Sequence, residues 1–255
     1  PGPVLIDVCK DVTAGVADYE PEAPKEITSD PVECSETEIS TAAERINKSQ
    51  KPIILAGGGV SIANAGEEVR LLAEKLRIPV TTTLMGLGSF PSTHELYMGM
   101  VGMHGSRTSN MAISESDLLI AIGTRFSDRV ISDVRRFAPN ADIIHIDIDP
   151  AEVNKNINVQ HPLIGNIKII LKNLIDLTEA RRDNEWNEKI CKWRATYPVK
   201  YRKDNILRPQ YIVERFYELT QGEAIITTEV GQNQLWAAQF YKYKRPRQFI
   251  SSGGL

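Results

Sequence analysis

Between residues 52 and 179 the chain alternates short apolar runs with segments of helical period, and this alternation constrains its fold more than any other feature. Pro52–Ala56 closes on Gly57-Gly58-Gly59, Ile78–Thr82 leads to Leu84-Met85-Gly86-Leu87-Gly88, and Leu118–Ile122 closes on Gly123. Ile143–Asp149 alternates at its end, and Leu163-Ile164 closes on Gly165. Between these runs, Ser61 offers an N-cap to a helix carrying Ile62, Ala65, Val69, Leu72 and Leu76 at three- and four-residue steps. A loop then leads to Val101-Gly102-Met103-His104-Gly105 and a helix to about 116, and 166–179 reads as a helix with Ile169, Ile170, Leu174 and Leu177 inward. Upstream, Thr37 offers an N-cap to a helix over 37–49 with Ile39, Ala42, Ala43 and Ile46 as its apolar stripe. Strands alternating with helices predict an α/β fold. Its centre is a Rossmann-like parallel sheet with helices on both faces and right-handed crossovers, over about 37–180.

Outside this span the pattern is looser. Residues 4–8 read as a strand, and 13–36, rich in Pro, Glu, Asp, Thr and Ser without a period, as a linker. The charged stretch 181–206 holds Trp186 and Trp193 seven apart and reads as a connecting helix. A helix from Pro209 to about 220, a strand at Ala224–Thr227, a helix over 231–241 and a strand from 248 then open a second, incomplete α/β unit over 207–255. The start at Pro1-Gly2-Pro3 without methionine and the stop at Gly254-Leu255 lead us to expect a piece of a longer protein. A net charge of −3 gives no global pull toward nucleic acid or anionic membrane, and no apolar run approaches the ~18 residues of a membrane span. Cys9, Cys34 and Cys191 have no metal-type spacing and, with no secretory signal visible, read as reduced thiols in a cytoplasmic setting.

The chemistry collects at the strand ends. A glycine there lets the backbone turn sharply and approach a ligand. In Gly123-Thr124-Arg125-Phe126-Ser127-Asp128-Arg129-Val130 two arginines four apart crowd the place where open α/β sheets bind ligands. Their planar donor forks suit a diphosphate; the competing reading is a surface loop whose Asp and Arg pair with each other. Gly57-Gly58-Gly59 offers backbone N–H groups to a phosphate or is a tight turn only; no third glycine completes G-x-G-x-x-G. Asp147 and Asp149 end a strand where acids accept from ribose hydroxyls, with Glu152 close behind, and helix capping by Asp149 before Pro150 competes for that residue. Met85 and Met103 lie in glycine-flanked loops, suited to a flat ring system or to plain core filling. His104 has no acid or serine partner nearby and is not read as a general base. Gln232 and Asn233, at another strand-to-glycine turn, are neutral donors for phosphate oxygens. With no metal-type cluster and no Ser or Cys triad, no catalytic or metal-binding residue is assigned.

Taken in order, several segments resemble one family. They are Pro1-Gly2-Pro3-Val4-Leu5-Ile6-Asp7-Val8 with Lys10-Asp11-Val12, Gly57-Gly58-Gly59, Thr83-Leu84-Met85-Gly86, Gly102-Met103-His104-Gly105, the Gly123–Val130 stretch, His145-Ile146-Asp147-Ile148-Asp149, and Val230-Gly231-Gln232-Asn233-Gln234 running on to Tyr241. Together they are similar to the large catalytic subunits of acetolactate synthase (acetohydroxyacid synthase), thiamine-diphosphate enzymes. The resemblance implies three α/β domains in the family. On this chain, 1–12 would be the tail of the pyrimidine-binding domain, 37–180 the middle domain, and 207–255 the start of the diphosphate-binding domain. It implies condensation of two 2-oxoacids, pyruvate with pyruvate or 2-oxobutyrate, with loss of carbon dioxide in branched-chain amino-acid synthesis. It also implies FAD without a redox role on the middle domain, thiamine diphosphate and Mg2+ in the whole enzyme, a homo-oligomer (dimer or tetramer) and a regulatory small subunit.

Carried over by position, the implied FAD contacts are Gly57, Gly58, Gly59, Thr83, Leu84, Met85, Gly102, Met103, His104, Gly123, Arg125, Asp128, Arg129, Asp147, Ile148 and Glu152. The implied thiamine-diphosphate contacts are Val230, Gly231, Gln232 and Asn233. The chain departs from the family at Gly165-Asn166 (often Gly-Asp), Ser127 (often Asp) and Asn233 (often His), and residues 13–36 carry no arginine, so no flavin contact is assigned there. The activating glutamate and the magnesium-holding Gly-Asp-Gly…Asn segment lie outside this sequence, so the chain alone is expected to be a catalytically silent FAD-binding scaffold. The alternatives are a related thiamine enzyme, such as a pyruvate oxidase or other carboligase, a flavin-free interface domain, and a self-standing dinucleotide-binding domain.

Overall fold

Pro52–Ala56 (β1) and Leu118–Ile122 (β4) are buried at every residue and run side by side in parallel, paired from Pro52↔Leu118 to Ala56↔Ile122. Apolar runs without alternation can sit only where helices cover both faces of a sheet. The computed structural model of the chain describes residues 5–20, 33–182 and 184–253; Pro1–Val4 and Gly254-Leu255 lie outside them. It divides into two units, 1–31 and 32–255.

In the first unit α1 (Lys10–Ala14) is the regular element. The strand expected over 4–8 is absent from its described part: Leu5–Val8 pair with no neighbour, and Leu5 and Ile6 are exposed. A strand exists only as a ladder with another. The linker reading is corrected at its start, where Thr13 and Ala14 close α1; residues 21–32 lie outside the described residues.

The second unit opens with α2 (Glu36–Lys48). Its N-cap is Ser35, not Thr37: the Ser35 hydroxyl accepts from the Glu38 amide while Glu38 Oε2 takes the Ser35 amide at 2.7 Å, a reciprocal capping box. Then follow β1, α3 (Gly58–Ile62), α4 (Gly66–Leu76), β2 (Val80–Thr82), β3 (Tyr97–Met100), α5 (Arg107–Glu115), β4, α6 (Asp128–Ile131), β5 (Asp142–Asp147), β6 (His161–Ile164), α7 (Ile167–Leu177) and α8 (Glu185–Thr196). Among the described residues the six strands form one parallel sheet in the order β3-β2-β1-β4-β5-β6. This is a doubly wound, Rossmann-like sheet whose order reverses between β1 and β4. Alternate residues of β1, β4 and β5 feed two cores. Ile54, Ile120 and Ile144 meet α2, α4 and α7 on one face, while Ile53, Leu119 and Ile143 meet α5 and α8 on the other. Trp186, hydrogen-bonded through Nε1 to the Pro52 carbonyl at 3.0 Å and edge-on to Trp193, docks α8.

Three local expectations are corrected. The segment from Ser61 is two helices, α3 and α4, because Asn64 turns left-handed (φ 51) between them; Ser61 caps neither, and Ile62 is exposed. In α7 the buried set is Ile167, Ile170, Leu171 and Leu174, with Ile169 and Leu177 half exposed. The loop expected before Val101 contains β3, an edge strand with a bulge in its pairing to β2.

Beyond α8, α9 (Pro209–Leu219), β7 (Ile226–Thr228), α10 (Gln232–Phe240) and β8 (Phe249–Ser251) follow, with β7 and β8 paired in parallel. Met100 of β3 and Leu87 from the loop after β2 pack with Ala237, Ala238, Tyr241, Tyr243 and Phe249, which seats this second α/β element against the β3 edge.

Candidate functional site

The sheet order reverses where β1 and β4 end, and both ends are glycine. The Gly57 amide donates to Ile122 O at 2.8 Å and the Gly59 amide to Gly123 O at 2.9 Å. A Cβ on Gly57 would collide with the Gly123 carbonyl, and one on Gly59 would lie 2.6 Å from Gly123 Cα. The glycines therefore serve first to bring two backbones together. Of the two readings of this run, the tight turn describes Gly57 and Gly59, whose amides are used on Ile122 and Gly123. Gly58 starts α3 and lies under Met85. Thr83 caps the turn Leu84–Gly86 by accepting the Gly86 amide at 3.1 Å, so its hydroxyl has an internal task, and Leu84 is half-buried beside it.

The turn after β4 is held from behind. Gly123, at φ +57, gives its carbonyl to Gly59, Thr124 O accepts from His145 Nε2 at 2.9 Å, and Arg125 O accepts from Asn156 Nδ2 at 3.0 Å. Arg125 itself is exposed and forms no ion pair among the described residues. Arg129 does pair, with Asp128, and both are exposed; for that pair the surface-loop reading holds. The Arg129 carbonyl accepts the Met103 amide at 2.9 Å, and Gly102, at φ +107, lies against the same carbonyl. Asn110 clamps Gly102 through both its amide and its carbonyl, each at 3.0 Å. The ends of β3 and β4, separated in the sheet by β2 and β1, thus meet above it. His104 is exposed, and its carbonyl accepts Gln239 Nε2 of α10 at 2.8 Å.

After β5 the polar groups gather. Asp147 is buried and accepts the Asp149 amide at 3.0 Å. Asp149 caps the turn Pro150–Glu152 through the Ala151 amide at 2.9 Å, as its capping reading has it. Glu152 holds Lys155 with one oxygen at 2.8 Å; its other oxygen is buried with no partner among the described residues. His145 is fully buried, with Nε2 3.7 Å from Asp147 and Nδ1 without a partner among the described residues. Burial pushes its pKa below the ordinary imidazole range, against the upward pull of Asp147, the Thr124 bond and Glu152, so the ring is neutral at neutral pH. Asn166 caps α7 by accepting the Lys168 amide at 2.9 Å. Asn166→Asp keeps that acceptor and adds a negative charge at a helix N-terminus. It should raise stability by ~0.3–1 kcal/mol, read as a higher urea midpoint at unchanged slope; a lower midpoint would refute the capping role.

One rim therefore collects Gly57–Gly59, Thr83–Met85, Gly102–His104, Gly123, Arg125, Asp128, Arg129, Asp147, Ile148 and Glu152, all at the carboxyl ends of the strands. Three large apolar side chains face outward there: Met85 (45% exposed), Met103 (59%) and Ile148 (70%). Val230, Gly231, Gln232 and Asn233 are not part of it. They form the exposed turn from β7 into α10, at the end of α10 opposite the one that touches His104. Sequence reasoning missed the supports: His145, whose signal is a polar ring inside an apolar strand, and Asn110 and Asn156, which carry no signal in one sequence.

Residues 39–174 match the model of the central domain of thiamine pyrophosphate enzymes. Over its whole length the chain is 46% identical to a probable acetolactate synthase large subunit of Methanocaldococcus jannaschii, covering 46% of that protein. It is likewise 41% identical to the acetolactate synthase large subunit of Lactococcus lactis, covering 45% of it, and 41% identical to the chloroplastic acetolactate synthase 1 of Zea mays, covering 41%. The chain spans about half the length of the curated relatives it matches.

Proposed function

Because the chain belongs to the thiamine pyrophosphate enzyme family, whose central domain matches residues 39–174, we propose that it is part of an acetolactate synthase large subunit and that its rim is the seat of FAD. The whole enzyme then joins two 2-oxoacids with loss of carbon dioxide, works as a homo-oligomer, and meets a regulatory small subunit. The observation that carries the flavin reading is the rim itself. The strand ends are glycine where any Cβ would strike backbone, and they lie beside an arginine with no ion pair among the described residues and three outward apolar side chains. An extended ligand with a diphosphate in its middle and flat rings at its ends fits that set. Arg125 takes the diphosphate, with Arg129 reaching it once released from Asp128. Met85, Met103 and Ile148 cover ring faces, and the orphan oxygen of Glu152, with Asp147, accepts ribose or adenine donors.

FAD in this reading is a structural ligand that ties the strand ends together. Thiamine diphosphate, when bound, supplies the carbon nucleophile of the condensation. On this chain Val230–Asn233 would hold its diphosphate, where Gly231, at φ +156, starts the nine-residue α10 and leaves Gln232 and Asn233 exposed as neutral donors. The remaining thiamine and Mg2+ contacts belong to sequence outside this chain.

The test is calorimetric and fluorescence titration of the purified chain with FAD, with NAD as control. Saturable FAD binding is expected, weakened about 10- to 100-fold in Arg125→Ala, the range of one charge-assisted hydrogen bond of ~1.5–3 kcal/mol. Unchanged affinity in that variant removes Arg125 from the site; binding of NAD in preference to FAD overturns the flavin reading.

A further inference from the structure

The turn Gly123–Ser127 carries Arg125, yet nothing in its own sequence rigidifies it. Its carbonyls at Gly123, Thr124 and Arg125 are tied in succession to Gly59 on α3, His145 on β5 and Asn156 beyond β5. With these three carbonyls drawn inward, the amides of Thr124, Arg125 and Phe126 donate to no acceptor among the described residues. The next residue, Phe126, is buried and left-handed (φ 50), a conformation that persists for an aromatic residue only where the surroundings impose it. What it meets is again His145: the two rings lie 4.9 Å apart, edge to face, with Phe137 6.1 Å away on another side. One imidazole therefore both donates to the turn's middle carbonyl and walls the strained residue.

Resting on the flavin reading of the rim, we propose that His145 is a positioning residue for the cofactor. It touches no ligand. As the neutral Nε2–H tautomer it locks the turn with carbonyls inward, so that Arg125, the exposed residue among Thr124, Arg125 and Phe126, is presented to a diphosphate before it arrives. The unpartnered Nδ1 and the 3.7 Å separation from Asp147 fit this tautomer, with the single Nε2 proton directed at Thr124 rather than shared with a carboxylate. Preorganisation of this kind lowers the ordering cost of binding.

Two variants separate the hydrogen bond from ring packing. His145→Phe keeps a ring against Phe126 and removes the donor, whereas His145→Gln places an amide N–H near the position of Nε2. FAD affinity of the folded chain should fall about 10-fold in His145→Phe, the scale of one hydrogen bond to a buried acceptor, and return to within about 3-fold of the parent in His145→Gln. The Gly59 amide, protected by the Gly123 carbonyl, should exchange faster in flavin-free His145→Phe than in the parent. Parental affinity in His145→Phe, or a loss in His145→Gln as large as in His145→Phe, overturns the proposal. Should the parent not bind FAD, the flavin reading falls separately, and unchanged Gly59 exchange in His145→Phe then overturns the positioning role itself. Should His145→Phe not fold, the imidazole nitrogen shifts of the parent decide: a neutral ring protonated at Nε2 is expected, and an Nδ1–H ring or an imidazolium refutes it.

Discussion

Gly123→Ala should remove about 4 kcal/mol of folding stability, against about 0.5 kcal/mol or less for Gly253→Ala as control. Two costs meet at this position. Gly123 sits at φ +57, where a Cβ costs ~1–2 kcal/mol. That Cβ would also lie 2.6 Å from Gly59 Cα, 2.8 Å from Gly59 C and 2.9 Å from Val60 N. All three are backbone atoms, so no rotamer relieves the overlap. Relief requires β1 and β4 to part at their carboxyl ends, which breaks the Gly57–Ile122 and Gly59–Gly123 hydrogen bonds, each contributing ~1 kcal/mol. A Cβ on Gly253 meets nothing within 4 Å. Equilibrium urea unfolding of both variants is the measurement. A loss below about 1 kcal/mol in Gly123→Ala would mean that the strand ends separate freely, and the cradle at the reversal point would not exist as described.

The strands that form this cradle were the most legible part of the sequence. Pro52–Ala56 and Leu118–Ile122 keep the bounds their apolar runs suggest, because local signal and tertiary demand coincide: burial on both faces calls for nothing but apolar residues. β3 was not legible, since Tyr97-Met98-Gly99-Met100 has a glycine at φ +102 and a half-buried pattern. It is a strand because β2 pairs with it and the second α/β element packs over it, and both are tertiary facts. The phase of α7 failed for the opposite reason. Ile-Lys-Ile-Ile-Leu offers a stripe wider than one face, and only packing against α2 and α4 selects Ile167 and Leu171 over Ile169 and Leu177.

The rim was legible as a place and less so as chemistry. Ligand chemistry in an open α/β sheet falls at strand ends, and strand ends can be read from apolar runs. What each residue does there depends on which partner it takes, some adjacent and some far along the chain. The Gly57 and Gly59 amides look free in sequence but are bonded to Ile122 and Gly123, and the Thr83 hydroxyl is a cap; the capping reading of Asp149 and the pairing of Asp128 with Arg129 were among the readings the sequence offered. Arg125 stands apart because the groups that hold its turn, the Gly59 amide on the Gly123 carbonyl and Asn156 on its own, bind carbonyls and leave its guanidinium alone.

Phe126 decides whether this held turn is rigid. Phe126→Ala should cost ~3–5 kcal/mol, the usual range for emptying a buried aromatic site, because the residue is 2% exposed and its ring packs edge-on with both His145 and Phe137. Phe126→Gly discriminates further. At an ordinary position glycine is worse than alanine by ~0.5–1 kcal/mol through chain entropy. At φ 50 that penalty is offset by relief of the left-handed Cβ strain of ~1–2 kcal/mol, so Phe126→Gly should be as stable as Phe126→Ala or more so. Glycine falling below alanine by the ordinary margin would show that the backbone at 126 relaxes out of the left-handed region once the ring is gone. The strain would then be held by the ring alone, and Thr124 and Arg125 would owe their presentation to packing rather than to the three anchored carbonyls.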